Sequence, residues 1–155
     1  MRLYLIQHAK AMAKEEDARR PLSEAGRAEA ERIARFLRRV EPPVSQVWHS
    51  GKARAQQTAG IYAEAVGIEG EPIAREGLAP NDNVTLLRDE LAVTTDDTMI
   101  VGHMPFVSRL AALLLTGCES PPVVAFVNAG IVCLERTDDG RWVVEWVVTP
   151  DLVAK

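Results

Sequence analysis

His8 follows the apolar run Leu3-Tyr4-Leu5-Ile6-Gln7, and His103 follows a second run, Thr98-Met99-Ile100-Val101-Gly102. Neutral imidazole is a nucleophile and a proton carrier near pH 7. If both runs are strands of one open α/β sheet, the two rings converge, because ligands bind in the crevice outside the carboxyl ends of such strands. A third segment, Val47-Trp48-His49-Ser50-Gly51-Lys52-Ala53-Arg54-Ala55-Gln56-Gln57-Thr58, sets a hydroxyl, a glycine, a lysine and an arginine at the start of a helix. The unsatisfied N–H groups and positive dipole end of a helix favour phosphate, and arginine adds a planar fork matched to phosphate oxygens. This is anion-binding chemistry.

Elements must hold these residues in place. Leu3–Ile6, Val44–Trp48, Thr98–Val101, Val123–Val127, Ile131–Glu135 and Trp142–Val148 read as strands, rich in β-branched or aromatic residues and bounded by Pro, Gly or Asp. Ser23 is placed to cap a helix that runs to about Val40 and ends before Pro42-Pro43. Helices are expected from Lys52 to Val66, closed by Gly67, from Met104 to Leu115, closed by Gly117, and over the shorter span Asn83 to Leu91. The alternation predicts an α/β fold, a three-layer α/β/α sandwich around a mostly parallel sheet. Past Pro121 three strands without intervening helices make the sheet mixed, with Asp138-Asp139-Gly140 as a hairpin turn.

Composition narrows the options. A chain of 155 residues, 47% hydrophobic and 26% charged, is expected to form one domain over residues 1–155. A formal charge of −4 offers no general attraction for nucleic acid or an anionic membrane, so an anion site has to be built from local charge. No apolar run approaches the roughly 18 residues of a membrane span, and the N-terminus lacks the pattern of a secretory signal. The expectation is a cytoplasmic protein without nucleic-acid or membrane partners. Cys118 and Cys133 lack metal-ligand spacing and read as reduced, structural residues.

Taken together, the His8 strand, Arg20-Pro21-Leu22-Ser23-Glu24-Ala25-Gly26, the Ser-x-x-x-Arg-Ala-x-x-Thr pattern from Ser50 to Thr58, and Val101-Gly102-His103-Met104-Pro105 span nearly the whole chain. In order and spacing the chain resembles the histidine phosphatase superfamily, the phosphoglycerate mutase-like enzymes, and within it the small SixA-type phosphohistidine phosphatases. The resemblance implies a phosphoglycerate mutase-like fold and a two-step phosphoryl transfer through a phosphohistidine on His8. It also implies Arg54 as a phosphate-binding arginine and His103 as the second histidine of the pocket. The substrate it implies is a phosphorylated protein carrying phosphohistidine, or a small phosphate ester. No metal or other cofactor is expected, since fixed Arg, His and backbone donors can stabilise charge on equatorial oxygens.

Two departures stand out. The family usually has Arg-His-Gly at the nucleophile, where this chain has Gln7-His8-Ala9. Gln7 can donate only neutral hydrogen bonds to phosphate, about half as strong as charge-assisted ones, so slower turnover is expected. Lys52 is the first choice for a compensating charge, ahead of Lys10, Arg19 and Arg20; Arg20 either covers the pocket or solvates it. Ser50 either donates to phosphate or caps the helix that follows. Ala9 in place of glycine matters only if the backbone needs positive φ or very close approach. The second departure is the proton donor: Glu76 and Asp82 align only loosely with the acidic residue of larger relatives and read as loop carboxylates. His49 reads as structural, and Gly26 as a close-packing position. The competing function is a non-catalytic phosphate- or phosphoprotein-binding module on the same fold. A zinc hydrolase using His8, His49 and His103 is disfavoured by the adjacent Arg54 and Lys52, and a serine hydrolase by the absence of a Gly-x-Ser-x-Gly elbow.

Overall fold

Side chains alternate across the first strand, so Leu3 and Leu5 enter one apolar layer while Tyr4 and Ile6 enter the other. In a computed structural model describing residues 1–153, the strands are β1 (Arg2–Gln7), β2 (Gln46–His49), β3 (Ile73–Ala74), β4 (Thr98–Gly102), β5 (Ile131–Arg136) and β6 (Trp142–Val148). Among the described residues they form one sheet in the order β3-β2-β4-β1-β5-β6. β3, β2, β4 and β1 are parallel, and β5 and β6 add in antiparallel fashion beyond β1.

The helices are α1 (Glu24–Val40), α2 (Ala53–Val66), α3 (Val84–Val93) and α4 (Phe106–Thr116). Ile33 and Leu37 of α1 and Ala59 and Tyr62 of α2 pack with Tyr4 and Ile6, whereas Leu87 and Leu91 of α3 and Leu110 of α4 pack with Leu3 and Leu5. The sheet is thus covered on both faces, as the strand–helix alternation predicts. Ser23 caps α1 by accepting the Gly26 N–H, and Gly67 and Gly117 close α2 and α4 in the left-handed conformation.

Two elements differ from the sequence expectation. Val123–Val127 is not a strand. Its side chains alternate between exposed and half-buried, and Val124 and Phe126 pack on the α3/α4 layer. Both edges of β1 are already occupied by β4 and β5, so no strand edge is open to it there, and its continuation meets the sheet only in an isolated Gln7–Asn128 bridge. The antiparallel addition therefore has two strands, joined by the expected turn at Asp138-Asp139-Gly140. The two-residue β3 was not anticipated, because Ile73-Ala74 carries too short an apolar signal.

Candidate active site

β2, β4 and β1 are neighbours whose carboxyl ends are almost flush, with Gln7 opposite Gly102 and His49 opposite Val101. The next residue of each strand is His8, His103 and Ser50, so register alone gathers them. The His8 N–H donates to the Gly102 carbonyl at 3.0 Å, and the two imidazole centroids lie 5.0 Å apart.

His8 Nδ1 lies 2.7 Å from the Ala9 carbonyl oxygen. A carbonyl only accepts, so Nδ1 carries the proton in this bond. Burial, and then the nearby Arg54 and Arg20 guanidinium groups, hold the His8 pKa below the usual histidine value, against the opposing effect of the Ala9 bond. A neutral ring protonated at Nδ1 leaves a lone pair on Nε2, the form that attacks an electrophile.

His103 is 2% exposed, and its pKa is pushed down to about 3 by burial, followed by His8, Arg54, Lys52 and Arg20. Its Nε2 is 2.6 Å from Ser50 Oγ, while its Nδ1 is buried without a partner. Ser50 Oγ also accepts the Lys52 N–H at 3.3 Å.

The loop from Ser50 turns through Gly51, whose φ of 91° suits glycine, into α2. Lys52 is the N-cap without a side-chain capping bond, and the first turn of α2 holds no acidic residue. The start of α4, just past His103, is likewise without a side-chain cap or an acidic residue. Both helix starts retain the positive dipole end that draws anions. Arg54 lies in the first turn of α2, half-buried, with its Nε buried and unpartnered. Burial and then Arg20 lower its pKa.

A hydrogen-bonded frame surrounds His8. Asn128 Nδ2 donates to the His8 carbonyl at 2.9 Å, and the Ala129 N–H donates to the Gln7 carbonyl at 2.9 Å. Thr58 Oγ1 accepts the Ala9 N–H at 3.0 Å and donates to the Arg54 carbonyl at 2.8 Å. One residue earlier, Gln57 Oε1 accepts the Leu22 N–H at 2.7 Å, so adjacent residues of α2 hold both ends of the loop over residues 9–22. At Gly26 a Cβ would fall 2.0 Å from the Lys10 carbonyl oxygen, which bears out the close-packing expectation for this glycine.

The sequence-predicted residues fall into two groups. His8, His103, Ser50 and Arg54 share one end of the sheet, with the Lys52 charge acting on His103. Ser50 does not cap α2; the helix starts later, at Ala53 after Lys52, and the Ser50 hydroxyl is turned to His103. Arg20, half-buried in left-handed backbone and with Nε on the Met12 carbonyl at 3.2 Å, opposes charging of His8, Arg54 and His103. Lys52 opposes charging of His103, and Arg19 is an exposed partner of Asp17. Gln7 is half-buried at the end of β1. Ala9 does not adopt positive φ and packs in the core, so the missing glycine costs the turn nothing.

His49 is structural: its Nδ1 accepts the Gly51 N–H and shapes the turn. Glu76 and Asp82 line an open groove of about 550 Å³ beside α3, to which His8, Arg54 and His103 do not contribute, and Asp82 is tied to the Ala79 N–H at 2.9 Å. Among the described residues, no group of three or more His, Cys, Asp or Glu is arranged to hold a metal ion. None of the described helices is long and apolar enough to cross a membrane. Sequence reasoning missed the role of Asn128, which directly follows the misassigned strand Val123–Val127. Thr58 closes the motif, and a threonine four residues after Arg54 can bond back to that carbonyl.

Residues 3–80 match the profile of the histidine phosphatase superfamily, branch 1. No curated protein matches the chain. Among solved structures, the protein histidine phosphatase SixA complexed with tungstate is 23% identical, with a TM-score of 0.85 over 97% of this chain and 98% of that one. A protein assigned as phosphohistidine phosphatase SixA from Agrobacterium tumefaciens is 28% identical, with a TM-score of 0.73 over 96% of this chain and 97% of that one. A phosphoserine phosphatase of Entamoeba histolytica, solved with phosphoserine, is 16% identical, with a TM-score of 0.69 over 96% and 97%.

Proposed function

This chain belongs to the histidine phosphatase superfamily, and we propose that it is a SixA-type phosphatase that hydrolyses phosphohistidine, or another phosphomonoester, through a covalent phosphohistidine at His8. The observation that best supports this reading is the bond from His8 Nδ1 to the Ala9 carbonyl, 2.7 Å long, which puts the proton on Nδ1 and leaves the Nε2 lone pair free for attack.

The substrate phosphoryl group is held by the Arg54 guanidinium and the N–H groups at the start of α2, with Ser50, Lys52, His103 and Gln7 as further donors. His8 Nε2 attacks phosphorus, forming an N–P bond as the bond to the leaving group breaks; the leaving group departs with the electron pair and takes up a proton. Water then attacks the phosphohistidine, the N–P bond breaks, and inorganic phosphate leaves neutral His8 behind. The clustered positive donors stabilise charge on the equatorial oxygens, the task that Mg²⁺ performs in other phosphoryl transfers. A phosphohistidine substrate suits a pocket in which Glu76 and Asp82 stand apart, because a protonated imidazole is a better leaving group than an alkoxide and has less need of a general acid. The protein histidine phosphatase SixA among the structural relatives supports a phosphorylated protein as the partner, and the phosphoserine phosphatase relative keeps small esters within the test.

Rapid quench at alkaline pH, which preserves phosphohistidine, tests this with labelled phosphohistidine and aryl phosphate on wild type and His8→Ala. Label trapped on wild type and absent from His8→Ala, with phosphate released, is the expected result. Binding of inorganic phosphate with neither label nor release would reject the enzyme in favour of a phosphate-binding module, the reading that Gln7 in place of arginine favours.

A further inference from the structure

Ala9 is held through both peptide groups that flank its Cα. Its carbonyl accepts the proton of His8 Nδ1 at 2.7 Å, and its N–H is given to Thr58 Oγ1 at 3.0 Å. Thr58 is fully buried, and its own hydroxyl proton is committed to the Arg54 carbonyl at 2.8 Å. A hydroxyl rotates freely until its proton finds an acceptor. With the proton on Arg54, a lone pair is directed at Ala9. The chain of contacts therefore runs from the arginine-bearing turn of α2, through Thr58 and the Ala9 backbone, to the nitrogen of His8 that does not attack.

We propose that Thr58 is a positioning residue, fixing the His8–Ala9 peptide plane so that the next carbonyl, that of Ala9, holds His8 in the Nδ1–H tautomer and leaves Nε2 free to attack. This rests on the reading of His8 as the nucleophile. The physical argument is one of rotation. A peptide group is planar, so fixing its N–H fixes the direction of the carbonyl before it; the Ala9 N–H shares its plane with the His8 carbonyl, which Asn128 holds from the other side. The pair of bonds on that plane, from Thr58 and Asn128, sets the backbone from which the next carbonyl, that of Ala9, is hung. Without the Thr58 oxygen the Ala9 N–H is buried and unpaired, a state the chain relieves by turning the peptide. The tautomer of His8 then loses its guide. The same link also fixes the spacing between His8 and the start of α2, where Arg54 sits.

The test compares Thr58→Val, which keeps the shape and removes the oxygen, with Thr58→Ser, which restores it, and with Thr58→Cys, whose thiol accepts weakly. Two readouts are taken. Long-range ¹H–¹⁵N spectra at neutral pH report the His8 tautomer in the free protein, and phosphatase kinetics report kcat and KM. Wild type and Thr58→Ser are expected to show Nδ1–H. Thr58→Val is expected to show a mixture with Nε2–H and a kcat lower by about tenfold, the scale of one lost buried hydrogen bond, with KM nearly unchanged. Thr58→Cys is expected to fall between, and it carries the comparison if Thr58→Val does not fold. An unchanged His8 tautomer in the folded Val or Cys protein would overturn the proposal, as would a serine variant as impaired as valine. Because the spectra need no turnover, a wild type that shows Nδ1–H yet never traps phosphate would count against the phosphatase reading and leave the Thr58 link standing.

Discussion

Gln7 ends β1 directly before His8, where the Arg-His-Gly motif of the family would place a guanidinium. Its neutral amide offers a transferring phosphoryl group less stabilisation than a charged donor. Gln7→Arg is therefore expected to raise kcat on aryl phosphate, by roughly tenfold if one charge-assisted contact is gained; steady-state kinetics decide, and unchanged or lower turnover would mean that Gln7 is not a weakened phosphate ligand. Charge elsewhere bears on the size of that gain. The sequence pointed first to Lys52, in the helix-start loop, as compensation. In the fold Lys52 acts on His103 alone among the three groups that Arg20 reaches. The difference was not legible, since it depends on how the loop carrying Arg20 folds back, with Met12 N–H bonded to the Pro21 carbonyl at 2.8 Å. His8, His103 and Arg54 were legible because each directly follows an apolar run or opens a helix, positions set by local pattern. Asn128 was not, because its contact with the His8 carbonyl joins residues 120 positions apart.

At the level of elements, the strands and helices that frame the site follow their periodicity closely, and the sheet register does the rest by aligning His8, Ser50 and His103. Val123–Val127 misled because alternation signals an extended chain and says nothing about whether a neighbouring strand edge is free. The close approach of α1 to the loop behind His8 makes the sharpest demand on sequence. Ser23 N–H and Oγ both donate to the Lys10 carbonyl, at 2.9 and 3.2 Å, and Gly26 lies against the same carbonyl. The obstacle is backbone, which cannot swing aside as a long side chain can. Gly26→Ala is expected to cost about 1–3 kcal/mol of stability in urea titrations, the range of overpacking, and to lower phosphatase activity by displacing the loop that carries Ala9. Wild-type stability in this variant would show that α1 can shift without cost.

Across the whole molecule, burying neutral imidazoles makes stability depend on pH. An unfolded chain protonates histidine below about 6.5, whereas native His103 resists protonation down to about 3 and native His8 is shifted in the same direction. The native state thus binds fewer protons in this range. Its stabilisation is full above pH 6.5 and drains as pH falls toward the native value, at up to about 1.4 kcal/mol per pH unit for each group. Denaturant titrations between pH 6.5 and 5 are expected to show a steeper loss for wild type than for His103→Gln; equal slopes would mean that His103 is charged in the native state. The loop that leaves His8 has a different consequence. Its start is pinned by Thr58 and its end by Gln57, with Met12 and Pro21 closing the neck, while Ala13 to Glu16, Ala18 and Arg19 lie in solvent. The arc beyond that neck is a graft point: foreign peptide spliced between Glu15 and Glu16 would change the exposed surface of this loop while Thr58 and Gln57 keep its two ends in place, so that surface can be exchanged as a module without redesigning the residues at the end of the sheet.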